Sequence, residues 1–194
     1  NIKGVKKDDF AMIWGYPGRT NRYLSSYGIT EVLQQEAPTV IKLRGAKQDI
    51  MKSYMDKSDA VRIQYSSKYA QSANYWKYYI GQTKGLNNLD VFGKKRTLEN
   101  QFDAWVKADP ERTAKYGNVL RDIESSVKTS MQAQVQKRFW FFQETLIGAE
   151  LTYFVYKLNG LGNILKKDKI TPEELAPFRK IAEEFYKDYY MPID

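Results

Sequence analysis

The chain has 194 residues, with no Cys, no His, and a net charge of +8 from 31 Lys and Arg against 23 Asp and Glu. Without Cys there is no disulfide, thiolate nucleophile or cysteine metal site; without His there is no imidazole base and no zinc site of the usual kinds. A complete Ser-His-Asp or Cys-His apparatus is therefore excluded from this stretch, and no cofactor motif is present.

With 42% hydrophobic residues the composition is that of one globular domain or a little more, and no apolar run approaches the length of a membrane span. The first residues, Asn-Ile-Lys-Gly, lack an initiator Met and read as a piece of a longer protein. After the polar turn Lys6-Lys7-Asp8-Asp9, an apolar run from Phe10 to Trp14 is closed by Gly15-Tyr16-Pro17-Gly18. This pattern predicts one buried β-strand and a turn, with type II chemistry favoured by Pro then Gly. One strand cannot make a sheet, so its partners are expected outside the chain.

From Gly28 onward the pattern is helical. Thr30 and Glu31 with a Val-Leu pair start a short helix, expected to be interrupted before Pro38, which suits the first turn of the next one. Val40, Leu43, Ala46 or Lys47, Ile50 and Tyr54 mark that helix up to Lys57, with Gly45 as a weak point. The organising element follows from Ser58 to Lys84. Val61, Tyr65, Tyr69, Ala73, Trp76 and Ile80 form one stripe, Ser58 or Asp59 is the N-cap, and Gly85 is the expected end.

Leu89 to Ala108 is the next helix, and Asp109-Pro110 restarts the chain with Asp as N-cap. Tyr116 to about Ser130 is a further helix. Gln132 to about Leu158 is expected to be another, and its apolar RFWFFQETLIGAELTYFVYKL should lie at the centre of a helical core. Gly160-Leu161-Gly162-Asn163 reads as a loop. Thr171-Pro172-Glu173-Glu174 is a capping box that starts the last helix, which runs to about Tyr189.

Several features have a plain structural reading. Gly15-Tyr16-Pro17-Gly18-Arg19-Thr20 matches no phosphate-cradling pattern and reads as a turn. The pairs Asp8-Asp9, Glu173-Glu174 and Glu183-Glu184 point apart on a helix and do not converge on a metal or a proton. The short basic clusters, such as Lys94-Lys95-Arg96, are interspersed with acids and read as a solvated face. The Tyr75-Trp76-Lys77-Tyr78-Tyr79 cluster fits core packing, base stacking or a peptide cleft. Asn74, beside it and off the stripe, is a helical bystander unless something else singles it out.

Something does. DDFAMIWGYPGRTNRYLSSYGI (Asp8 to Ile29), VRIQYSSKYAQSANYWKYYIG (Val61 to Gly81) and AKYGNVL (Ala114 to Leu120) resemble bacterial dipeptidyl-peptidases seven and eleven. With dipeptidyl aminopeptidase BII these make up serine peptidase family 46. The resemblance implies a mainly α, multi-helix cap domain (residues 23–194) inserted in a chymotrypsin-like double β-barrel, whose terminal strand and junction are residues 1–22. It implies release of dipeptides from the free N-terminus of peptides, with the catalytic His and Asp before this stretch and the Ser after it. In the SANYWK block, Asn74 matches the asparagine that helps hold the substrate α-amino group. A side-chain amide oxygen can accept from an ammonium without adding charge.

Asn74 is thus the one substrate-binding residue expected here; no catalytic, cofactor-binding or metal-binding residue is. Tyr75 and Trp76 are expected to position its helix, and Arg19 and Tyr23 to anchor the barrel–cap junction. The implied partners are peptides with a free N-terminus, the rest of the parent peptidase and a homodimer of it, without nucleic acid. The implied location is periplasmic, cell-surface or secreted. The competing expectation is a non-catalytic basic helical module that binds nucleic acid or protein.

Overall fold

The computed structural model of the chain describes residues 4–12, 15 and 20–189. Among them every regular element is helical. The predicted strand is not found: residues 10–12 form no strand, and Ile13, Trp14 and Tyr16 to Arg19 lie outside the described residues. Phe10 is 88% and Met12 63% exposed, so what is described of the apolar run is not buried among the described residues.

The spine is a helical hairpin. Its first arm consists of α1 (Ser26–Glu31), a π-helical turn (Val32–Glu36) and α2 (Ala37–Met55), continuous in αR geometry. The interruption expected before Pro38 is therefore absent. Pro lacks an N–H and its ring clashes with the carbonyl four residues back. The chain meets this by widening one turn, in which the Ala37 N–H reaches the Val32 carbonyl, rather than by breaking. The second arm, α3 (Asp59–Asn88), starts at Ser58, whose hydroxyl accepts from Val61 N–H at 3.4 Å. Its 30 residues span about 45 Å.

The two arms form the largest helix–helix contact of the described residues. The buried residues of α3 are Tyr65, Ser72, Ala73 and Tyr79, and Tyr65, Ser72 and Tyr79 fall seven apart, the spacing of a seam between two long helices. The predicted stripe is nearly this face, but Tyr79 takes the inner position assigned to Ile80, which is exposed. Gly45 has a packing reason: a Cβ there would lie 3.3 Å from Trp76 Nε1, so its absence lets the arms close. Ala37, Val40 and Tyr79 form the core, with Ile41 and Trp140 packed against it. Gly85 does not end α3. Half-buried Leu86 continues the inner face for another turn, and the chain stops at Asp90, which adopts φ 46°.

The remaining helices flank this hairpin. Asp90 caps α4 (Val91–Lys107), which packs on α1 and α3, and Asp109 caps α5 (Pro110–Tyr116) through Arg112 N–H at 2.9 Å. Between α4 and α1, buried Glu99 accepts from both the backbone N–H and the hydroxyl of Ser26, each at 2.6 Å. α6 (Val119–Gln132) packs on α1, and α7 (Val135–Phe142) packs on α2.

The single central helix expected from Gln132 to Leu158 is instead broken. A π-helical turn (Gln143–Ile147) follows α7, and extended Ala149 separates it from α8 (Glu150–Lys157). Nor is this segment at the centre: Phe139, Phe141, Phe142, Leu151, Val155 and Tyr156 are all exposed. Gly160 to Asn163, expected as a loop, enters the one-turn α9 (Leu161–Ile164). α10 (Pro172–Glu184) starts with the predicted capping box, and a π-helical turn (Phe185–Tyr189) follows it.

Candidate functional site

On α3, Asn74 faces solvent between buried Ala73 and exposed Tyr75. Its stripe positions turn inward, so the amide is left on the outer face of a long helix. It makes no side-chain hydrogen bond among the described residues. Of the expected junction anchors, Arg19 lies outside the described residues and Tyr23 is 99% exposed. Trp76 lies against the Gly45 turn of α2, where an added Cβ would come within 3.3 Å of its Nε1.

One turn from Asn74 is a cleft of about 720 Å³ between α2, α3 and the α7–α8 junction. Leu43, Ile50 and Met51 form one wall, Tyr65 and Tyr75 another, and Trp140, Ile147 and Leu151 a third. Asn74 is not among its lining residues; Gln71, three positions earlier on the same helix, is.

The cleft contains an ion cluster that sequence reading missed. Glu144, 6% exposed, receives Arg44 Nε at 2.8 Å and Nη2 at 2.7 Å on one oxygen, and Lys47 Nζ at 3.2 Å on the other. A carboxylate removed from water is tolerated only when paired and hydrogen-bonded, and two cations do this here. Lys47 also donates to the Gly148 carbonyl at 3.1 Å, where a Cβ on residue 148 would lie 2.8 Å from the ammonium. Arg44 continues across the cleft to α3. Its Nη1 lies 3.5 Å from the Gln71 and Ser72 carbonyls, and its guanidinium carbon is 4.7 Å from the Tyr75 ring centre. At the rim Lys68 pairs with Glu150 at 2.6 Å. The available signals were a lone acid inside the apolar RFWFFQETLIG run and two cations at i and i+3 on α2.

Away from the cleft, Tyr79 donates to Glu36 at 2.6 Å and meets Trp140 edge-on at 5.8 Å. Burial first, and then the hydrogen bond to Glu36, push the Tyr79 hydroxyl well above the usual phenol range, so it stays a donor.

Among the described residues no cluster of three metal-ligating side chains occurs, and no helix is long and apolar enough to cross a membrane. With neither histidine nor cysteine in the sequence, the cleft contains no nucleophile–base pair built on those residues.

Comparison with known proteins defines the class first: the chain aligns along its whole length with peptidases. The family model described as Peptidase S46 matches residues 1–194, and the chain belongs to that family. Among its relatives, Dipeptidyl-peptidase 7 of Porphyromonas endodontalis is 38% identical over 195 residues, covering 100% of this chain and 23% of the relative. Dipeptidyl-peptidase 7 of Porphyromonas gingivalis is 39% identical, again over the whole chain and 26% of the relative. The Asp/Glu-specific dipeptidyl-peptidase of Flavobacterium psychrophilum is 32% identical, over the whole chain and 27% of the relative. The chain thus spans about a quarter of the length of these curated relatives.

Proposed function

We propose that this chain is the helical cap of a serine dipeptidyl aminopeptidase, a larger protein that releases dipeptides from free peptide N-termini. Residues 23–194 form the cap and residues 1–22 the last strand and junction of a β-barrel that carries the catalytic triad. In that arrangement Asn74 accepts a hydrogen bond from the substrate α-ammonium, and the cap closes the cleft so that only two residues fit before the scissile bond. The observation that carries this reading is the Asn74 amide itself, solvent-facing and without a side-chain partner among the described residues on the long helix α3, within a chain matched along its length by dipeptidyl-peptidases. Exposed Phe10 and Tyr23 support a junction whose partners lie in the rest of the protein. The pairing of Lys52, Arg62, Lys107 and Lys128 with acids one turn away supports a solvated basic face over a nucleic-acid track. A periplasmic, surface or secreted location and a homodimer of the parent accompany the same reading.

The test is hydrolysis of dipeptidyl-coumarins by the full-length protein, each against its N-acetylated twin. Only the free-amino substrates should be cleaved. Asn74→Ala should lower kcat/KM by about ten- to a hundredfold, the scale of a hydrogen bond to a charged group at roughly 1.5–3 kcal/mol. Equal cleavage of both twins makes the protein an endopeptidase, and a folded Asn74→Ala with unchanged kinetics removes the residue from the site.

A further inference from the structure

An unpaired amide can be no better placed than the backbone that carries it. Asn74 has no side-chain partner among the described residues, so its position is set by the α3 turn formed by residues 71–75. Arg44 grips that turn from α2. Its Nη1 approaches the carbonyls of Gln71 and Ser72, both at 3.5 Å, and its guanidinium carbon lies over the Tyr75 ring, 4.7 Å from the ring centre. The contacts therefore fall three and two residues before Asn74 and on the residue directly after it.

The grip is itself fixed. Arg44 Nε and Nη2 both go to one oxygen of Glu144, which is nearly buried, while Lys47 holds the other oxygen and ties it to the Gly148 carbonyl. One guanidinium thus spends three nitrogens and a face in four directions, joining α2, α3 and the α7–α8 junction. Only the arginine fork has this geometry. A lysine could keep the charge opposite Glu144 but could not also reach the carbonyls and stack on Tyr75.

We propose that Arg44, locked by Glu144 and Lys47, is a positioning residue that sets the Asn74 amide for the substrate amino group. This rests on the reading of Asn74 given above. Small displacements of a positioned binding group cost large factors in rate, so the arginine acts on recognition without touching substrate.

The test uses the full-length protein and dipeptidyl-coumarin substrates, with Asn74→Ala, Arg44→Lys, Arg44→Met and the Asn74→Ala/Arg44→Met pair. Arg44→Lys keeps the buried charge pair and should melt close to the unaltered protein, yet raise KM and lower kcat/KM about five- to twentyfold. Arg44→Met should show at least that loss. Combined with Asn74→Ala it should add little, because a positioning residue has nothing left to position. Parental kinetics for Arg44→Lys, or a double variant whose loss is the product of the single losses, overturns the proposal while leaving Asn74 in place. Unchanged kinetics for Asn74→Ala overturns both readings together. If Arg44→Met does not fold, Arg44→Lys and Asn74→Ala/Arg44→Lys decide the question by the same criteria.

Discussion

Glu99 caps a helix to which it does not belong, and removing it should be among the costliest single changes to the fold. It sits on α4 and is 8% exposed, and Ser26, the first residue of α1, is 0% exposed. Both 2.6 Å bonds from Ser26 end on this carboxylate, and Arg96 approaches it at 3.5 Å. Hydrogen bonds to a charged acceptor contribute about 1.5–3 kcal/mol each. A negative charge at a helix N-terminus contributes roughly 0.3–1 kcal/mol more. Glu99→Ala strands two donors that water cannot reach, so a loss of about 3–5 kcal/mol is expected after allowing for overlap between these effects. Glu99→Gln keeps one acceptor for the Ser26 N–H, and the Ser26 hydroxyl can turn to accept from the amide. Its loss should be about 1–2 kcal/mol. Urea unfolding followed by far-UV dichroism would measure both, with an unchanged m-value as the check that only stability moved. A loss below about 1 kcal/mol for Glu99→Ala, or equal losses for Ala and Gln, would refute a buried charged cap.

Tyr79→Phe should cost about 1–2 kcal/mol near neutral pH, since it removes the 2.6 Å bond to Glu36 and little packing. The folded hydroxyl titrates above its ordinary value of 10.0, so its stabilisation is complete below pH 10 and declines as pH rises beyond that. The stability gap between the two proteins should therefore narrow in alkali; a gap constant to the limit of folding would sink the assignment. The exposed face of α7 and α8 gives the remaining prediction. Phe141→Gln with Val155→Thr should change the stability of the 194-residue chain by less than about 0.5 kcal/mol and reduce its binding of an apolar dye. In the full-length peptidase the same pair should lower the melting temperature, and an equal effect in both settings would argue against a covered face.

What could be read in advance follows the range of the forces involved. Caps are local, and the sequence announced Ser58, Asp109 and Thr171 within a few residues of the bonds they make. The inner face of α3 is a matter of period: Tyr65 and Ala73 of the predicted stripe are buried, Ser72 outside it is buried as well, and Tyr79 replaces Ile80. There a step of three or four was equally apolar, and the facing arm decided between them. Gly85 and Pro38 misled for a common reason. Each is a strong local breaker, but tertiary contact along the hairpin outweighed it, by a further buried turn at Leu86 and by a π turn at Val32–Glu36. Asn74 was legible as an off-stripe position, whereas the Arg44–Glu144–Lys47 cluster was not. Its members lie about a hundred residues apart in sequence and meet only because α7 returns to α2.

The surface explains why the longest apolar segment was misplaced. A compact monomer of 22.7 kDa exposes roughly 9,500 Å², whereas this chain exposes 15050 Å², about 1.6 times as much. Among the described residues only nine hydrophobic side chains are buried, and Ala37, Val40 and Tyr79 form their cluster at the hairpin seam. Reading RFWFFQETLIGAELTYFVYKL as central assumed that the chain must bury its own apolar residues. A chain that spans about a quarter of its relatives need not do so. Trp140 and Glu144 turn toward the hairpin, while Phe141, Phe142 and Val155 face outward. This segment therefore has two unequal halves, a smaller one turned to the internal seam and a larger one left exposed. Under the proposed function, the ion cluster at Glu144 sits where those two halves meet. The same side chain that fixes the turn bearing Asn74 is thus joined, through the α7–α8 junction, to the face on which the rest of the peptidase would press.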